Sequence, residues 1–431
     1  MDEHNLGPHR DQIRRGNGQM PLLAPLRHHP FFWLWSGQTI SRLGDQLYTI
    51  ALAWFVLSMT HSATARSVVL VAALVPNMLF VLIGGAVADR LPRLAIMLAS
   101  DLVRGVLVIG VALLTFTGSV PLWLIISMSF CFGLVDAFFL PAYRAVIPQV
   151  IPMELLAGAN ALMVLSGRSM AIAGPSLGAI LIVIGGIPVA FAINGLSFFL
   201  SAICLVKAIA LLPELARKKT PASIQLGPRE RLAQMSADIR EGLVTVRSMT
   251  WLWLTIVLLG VANLFAEAAT VVTVPFYVQQ TLKSPFIYGA MGAASAVGGI
   301  LGAIWTGVRK VRHRGIIVYG FFFVAMLVPT IIGIFPYAIV IPVAMFIYSL
   351  SATILGLVWV KVLQEYIPNE QMGRVTSIDE LGSSIGLPLS LVLTGIFTDH
   401  FDARQIIIWG GVSGMAITAL GFLSKSVRTL D

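Results

Sequence analysis

Charge is scarce in this chain. Asp, Glu, Lys and Arg together make up 11% of its 431 residues, and 57% are hydrophobic; soluble domains carry roughly 25% charged residues. So much apolar surface exceeds what a soluble core hides and suits a bilayer. Cysteine is nearly missing: Cys131 and Cys204 both fall in apolar stretches, where they read as inert packing and give no disulfide framework. All seven histidines lie outside the apolar stretches, so neither a haem nor an intramembrane histidine metal site is expected, and no metal or other cofactor is assigned. A Gly-x-x-x-x-Gly-Lys-Ser/Thr phosphate loop is absent, so the chain is not expected to hydrolyse ATP itself. The first 29 residues are mostly polar, include Arg10, Arg14 and Arg15 and hold no apolar h-region, so no cleavable signal peptide is expected and the first apolar stretch would direct insertion. No polar triad or metal cluster shows near a membrane face, which speaks against an enzyme.

What is present is a series of mostly apolar stretches of about 20 residues, the length a membrane-spanning helix needs. Twelve can be marked, at 32–57, 66–88, 94–117, 121–143, 158–184, 187–209, 251–279, 285–307, 316–334, 337–361, 377–398 and 404–424. The expected fold is an all-α membrane protein with twelve transmembrane helices in two pseudo-symmetric six-helix bundles. The long polar interruption divides it: a cytoplasmic tail over 1–29, an N-terminal bundle over 30–209, a linker over 210–250, a C-terminal bundle over 251–424 and a short tail over 425–431. In the linker, Pro213, Pro221 and Pro228 precede a run from Arg229 to Arg247 with apolar residues at helical spacing, which predicts a surface helix on the cytoplasmic leaflet. The net charge of +9 is not gathered on one polar face, so no nucleic-acid partner is expected. Instead 23 Lys and Arg residues fall on the side shared by both tails and 3 (Arg66, Lys283 and Arg404) on the other. That bias predicts that both termini are cytoplasmic.

The two halves echo each other. Trp33-Leu34-Trp35 recurs as Trp251-Leu252-Trp253, an offset of 218, and Ile151-Pro152-Met153-Glu154 recurs as Ile367-Pro368-Asn369-Glu370, an offset of 216. Gly167 has its counterpart in Gly382. Such a repeat predicts two bundles related by an axis along the membrane normal.

Between the second and third stretches the chain reads Gly85-Ala86-Val87-Ala88-Asp89-Arg90-Leu91-Pro92-Arg93. Gly85 would let helices approach closely, Asp89 would accept bonds from a neighbouring helix N-terminus, and Arg90 and Arg93 would hold the cytoplasmic face. The loop resembles the signature of the major facilitator superfamily, with Pro92 where that family usually has Gly. A basic loop obeying topology alone would also explain the arginines. The corresponding segment from Arg309 to Arg314 is basic and has no acidic residue. In the fifth stretch, Gly167-Arg168 through Gly174-Pro175-Ser176-Leu177-Gly178 resembles the glycine–proline motif of the superfamily's drug:proton antiporters. Gly174-Pro175 would bend the helix and Gly178 would pack on its partner; ordinary helix packing is the competing reading. The stretches from Gly37 to Asp45 and from Asp136 to Pro141 resemble the macrolide-efflux and enterobactin-exporter-like subgroup. The resemblance runs from Pro30 to Lys425. It implies a secondary active transporter in a bacterial cytoplasmic membrane, a monomer whose partners are the bilayer, a small molecule and protons as coupling ion. Export of a hydrophobic or amphipathic compound such as a macrolide, by alternating access, is the leading expectation. A siderophore or lipid exporter, a proton symporter for uptake, and a non-transporting receptor or enzyme on the same scaffold are the alternatives.

A charge at bilayer depth is costly and rarely lacks a partner or a task. Gln38, Arg42, Asp45 and Thr49 fall on one face of the first helix by their spacing. Stepping by 218 carries Asp45 to Asn263 and Thr49 to Glu267. In the superfamily the first helix of each half lines the central cavity, so the resemblance implies that these polar stripes face one another across it. Asp45 and Glu267 are the candidate coupling and substrate carboxylates, since burial lets such a group load and release protons. Arg42 would hold Asp45 ionised or exchange partners, or the two would form a permanent ion pair. Glu267 has no basic neighbour on its own helix. Asp101, Arg104, Asp136 and Arg168 are expected to form a charge network beneath the cavity, with gating as the alternative. Asp379 and Glu380 suit a helix start and would meet Arg90 or Arg93 when the cytoplasmic side closes. Trp54, Phe55, Phe138, Phe139, Phe276 and Tyr277 supply aromatic surface for an apolar ligand or for plain packing.

Overall fold

The computed structural model describes residues 23–88, 90–118, 120–213, 240–309 and 312–428. Among them there is helix and no strand. After a 3-10 turn at Ala24–Arg27 come α1 (His29–Thr60), α2 (Ala63–Ala88), α3 (Arg93–Phe116), α4 (Leu122–Val150) and α5 (Met153–Leu211). The second half has α6 (240–248), α7 (Thr250–Leu282), α8 (Pro285–Val308), α9 (Arg314–Ile334) and α10 (Val340–Tyr366), then α11 (Asn369–Ser384), α12 (Leu387–His400), α13 (Ala403–Leu423) and α14 (Lys425–Arg428). Ten helices are long and apolar enough to cross a membrane among the described residues. The long helix outside that set is α1, whose apolar run is interrupted by Arg42 and Asp45. One of the ten, α5, has 59 residues and turns at Gly186 (φ 78°, ψ 174°), a conformation favoured by glycine. It joins the two stretches read from the sequence at 158–184 and 187–209. The non-helical dihedrals therefore fall at Gly186 and not at Pro175, which lies within continuous helix.

Helices outrun the apolar stretches that announce them. The fourth continues to Val150 and the tenth to Tyr366. The 32 residues of α1 span about 48 Å at ~1.5 Å per residue, against a hydrocarbon layer of about 30 Å. Beyond that layer polar side chains cost nothing, so hydropathy stops marking a helix that hydrogen bonding continues.

Local structure repeats where the sequence does. Pro152 and Pro368 precede α5 and α11 with nearly the same backbone (φ −58°, ψ 148° and φ −56°, ψ 143°). α1 and α7 both end on a left-handed residue, His61 and Lys283. Packing repeats too: α2 lies on α4 as α8 lies on α10, and α3 lies on α5 as α9 lies on α13. Across the chain's midpoint, α2 meets α12 and α5 meets α8.

Close approach of α2 and α4 depends on Gly84 and Gly133. A Cβ at Gly84 would run into the Ala137 carbonyl, and one at Gly133 into the Ala73 carbonyl. At Gly85, the residue expected to allow that approach, a Cβ would meet nothing within 4 Å. Gly85 shares the sequence of the loop but faces away from α4. Gly84→Val is therefore expected to lower stability by ~3 kcal/mol or more, above the usual overpacking cost because backbone must move. Gly85→Ala should leave it unchanged or raise it slightly. Thermal unfolding of the two purified variants in detergent compares them directly.

The linker residues 214–239 lie outside the described residues. The part of the predicted surface helix that is described, α6, docks on α11. Gly242 sits against Ile378, Val246 is buried, Thr245 Oγ1 donates to Gln371 Oε1 at 3.2 Å, and Arg374 pairs with Glu241 at 2.6 Å.

Candidate functional site

The polar stripe on α1 meets different surroundings at each turn. Gln38 Nε2 donates to Ser201 Oγ at 3.2 Å, tying α1 to α5. Arg42 lays its guanidinium over the Tyr143 ring, 4.8 Å from the centroid, with one nitrogen near Gly167. Thr49 turns its hydroxyl back to the Asp45 carbonyl at 2.8 Å. Asp45 lines two adjoining cavities. One, of about 300 Å³, is walled by α1 to α4, with Tyr48, Leu52, Val56, Val69, Leu70 and Phe132 as its apolar lining. The other, of about 200 Å³, extends past Gln38, Ser41, Arg42, Asn77 and Leu140. Both share Asp45, Arg104 and Asp136.

Arg104 organises the charges. Its Nη2 donates to Asp101 Oδ1 at 2.6 Å and its Nη1 to Asp136 Oδ1 at 3.1 Å. The guanidinium lies between the rings of Phe139 and Phe198, 4.3 and 4.6 Å from their centroids. It is 4% exposed and Asp101 is 0% exposed. Two of the expected four network members, Asp101 and Asp136, thus join Arg104, and Arg104 and Asp136 line the cavity. Arg168 does not join them; it reaches α8 at Gly299. With both terminal nitrogens of Arg104 committed, the Asp45 carboxylate has no hydrogen-bond partner among the described residues, and Arg42 does not pair with it. The result is a carboxylate with no hydrogen bond among the described residues, on a mostly apolar wall shared with Arg66, Arg104 and Asp136, with Tyr48 stacked on Phe132 at 5.4 Å beside it.

Glu267 stands apart. It is half-buried on α7 next to Tyr348 of α10, with Asn263 half-buried one turn before it. Neither is among the residues that line the two cavities at Asp45. In the signature loop, Arg93 donates to the carbonyls of Ala145 (2.8 Å) and Ala88 (3.4 Å), Arg90 is exposed, and Asp89 lies outside the described residues. Asp379 accepts from Trp359 Nε1 at 2.8 Å, and Glu380 is exposed. The glycine–proline segment sits between two partners. Gly174 and Gly178 pack on α1 at Gln46 and Leu47, while Pro175 faces Gly289 and Gly292 of α8. Sequence reasoning passed over Tyr48, Phe132 and Asn77, which carry no charge, and treated Arg66, which also lines the larger cavity, as a topology marker.

Residues 20–379 match the family described as transmembrane secretion effector, a branch of the major facilitator superfamily. The chain belongs to the major facilitator superfamily. This transporter is 22% identical to macrolide efflux protein A of Streptococcus pyogenes, over 93% of its own length and 97% of that protein. It is 26% identical to the enterobactin exporter EntS of Escherichia coli O1:K1 / APEC, over 93% and 92%. Among solved structures it resembles a bacterial homologue of the iron transporter ferroportin in an inward-facing state, with a TM-score of 0.67 at 13% identity over 91% of this chain and 98% of that one. The relatives and the fold are those of membrane transporters, and the chain is a multi-pass membrane protein.

Proposed function

We propose that this transporter exports a hydrophobic or amphipathic small molecule in exchange for protons, by alternating access, from a bacterial cytoplasm. The observation that carries the reading is Asp45: a carboxylate with no hydrogen-bond partner among the described residues, set in a mostly apolar cavity within the membrane-spanning helices that it shares with Arg66, Arg104 and Asp136. Such a group can hold a proton or a cationic cargo, and a neutral side chain would serve the apolar wall equally well unless charge were used. Relatives named for export of a macrolide and of enterobactin support the direction. Taking α1, both arms of α5 and the broken α11–α12 as spans gives twelve crossings in two six-helix bundles. Both tails are then cytoplasmic, a placement that the 23 to 3 distribution of basic residues supports. The working unit is a monomer.

The likeness to enterobactin exporters favours a siderophore as the second cargo class. Everted vesicles carrying the protein separate the readings. Addition of a macrolide should discharge an imposed pH gradient, and the drug should accumulate inside. A response to a catecholate siderophore but not to lipophilic drugs moves the cargo to the second class; no response to either overturns the proposal.

A further inference from the structure

The first-turn N–H groups of a helix have no partner within the helix and need one from outside. At α2 they find one in the other half of the chain. Asp399, near the end of α12, accepts from Ser62 Oγ at 2.6 Å, from the Ala63 N–H at 2.6 Å and from the Thr64 N–H at 3.0 Å. Its negative charge also sits at the positive end of the α2 dipole. One turn along α2, the buried Arg66 reaches α7. Pro275 has no N–H to offer the Val271 carbonyl four residues before it, and α7 opens there into a π-helical turn over Ala269–Thr273. Arg66 donates to that Val271 carbonyl, to Val272 O at 3.4 Å and to Tyr288 Oη at 3.3 Å. His61 and Gln280 add a bond at 3.2 Å.

Apolar packing follows the same line. Ile50 and Ala53 of α1 cluster with Val278, Tyr288 and Met291, and Ala63 clusters with Val272 and Leu391. At the opposite end of the helices, the cluster around Phe31, Leu94 and Val146 draws on the first half, and that around Leu252, Val318 and Val362 on the second. Among the described residues, then, the halves are sealed to each other on the face that carries His61, Lys283 and Asp399.

We propose that Asp399 and Arg66 form a two-point latch that holds this outward face shut, so that both contacts break whenever the face opens. The inference rests on the alternating-access reading only in taking the two faces to open in turn. Asp399 grips a helix terminus, and Arg66 bonds a carbonyl that proline deprives of its α-helical donor. Each contact therefore exists only while the halves are together, and each biases one state over the other.

The test measures the face itself and needs no cargo. Spin labels go at Thr117→Cys and Tyr337→Cys, exposed positions on that face outside the latch, with Cys131 and Cys204 replaced by serine and the full chain in liposomes. Charge-assisted bonds of this kind are worth enough that Asp399→Asn should raise the long-distance population about tenfold or more. Ser62→Ala should shift it in the same direction by less, and the two substitutions together should shift it no further than Asp399→Asn alone. If Asp399→Asn does not fold, Ser62→Ala and Arg66→Lys decide in its place. Unchanged distance distributions, or a loss of thermal stability without a shift in distances, overturn the latch. Absence of proton-coupled transport in the same liposomes with the distance shift intact would count against the exporter reading and leave the latch standing.

Discussion

Arg104→Leu is expected to be the most damaging single substitution in the membrane-spanning region. It removes the only cation hydrogen-bonded to Asp101 among the described residues, and Asp101 is 0% exposed. Stranding one member of a buried ion pair costs about 3–5 kcal/mol, a large share of the ~5–15 kcal/mol that holds a typical protein together. Asp136 suffers less, because its side chain is 45% exposed and can turn to water. The double substitution Arg104→Leu with Asp101→Leu should recover most of the loss, since the pair is replaced by apolar groups of similar volume. Thermal unfolding and detergent-extracted yield give the comparison. Wild-type stability in the single variant, or no recovery in the double, would show that Arg104 does not neutralise Asp101.

Asp45→Asn is expected to abolish gradient-driven accumulation while leaving insertion and folding intact. The amide keeps the size of the side chain, cannot carry a proton through the cycle, and is easier to place in a membrane than a carboxylate. Accumulation in everted vesicles should fall to the level of vesicles without the protein. Exchange of labelled for unlabelled neutral cargo, which needs no proton, should persist. Glu267→Gln is expected to lose coupled accumulation as well, if the second half contributes a proton site. Should Glu267→Gln keep wild-type rates while Asp45→Asn loses them, coupling belongs to the first half alone. Wild-type accumulation in Asp45→Asn removes the proposed site.

The helices were legible because nearly all carry a long apolar surface suited to lipid, and the internal repeat because two similar halves keep similar breakpoints at Pro152 and Pro368. The site was legible only in part. Spacing along α1 put Asp45 and Arg42 on one stripe, but the face a neighbour presents depends on helix rotation, and Arg42 goes to Tyr143 and not to Asp45. The same indeterminacy hid the exchange of roles between Gly84 and Gly85, adjacent residues on different faces of one helix. Arg104 and Asp136 were recognisable as partners but not as cavity walls, since depth along a helix says nothing about what stands opposite. Arg66 and Asp399 were the least visible. Near helix ends, charged residues are ordinary, and only the proline-freed carbonyl on α7 and the bare start of α2 explain them.

The larger cavity is built by α1 to α4 alone, and this has a thermodynamic consequence. A guest seated within the first half travels with it, so movement of the second half alters how tightly the guest is held only through a lining residue that contacts it, and Arg66 is such a residue. Equal affinity in both arrangements shifts no equilibrium between them. Directional release then requires something that changes inside that body during the trip, such as the gain of a proton that competes for the same carboxylate, or a wall that α7 or α8 supplies in only one arrangement. If the proton is the sole change, such a protein would bind its guest with the same strength from either side once the proton gradient is collapsed.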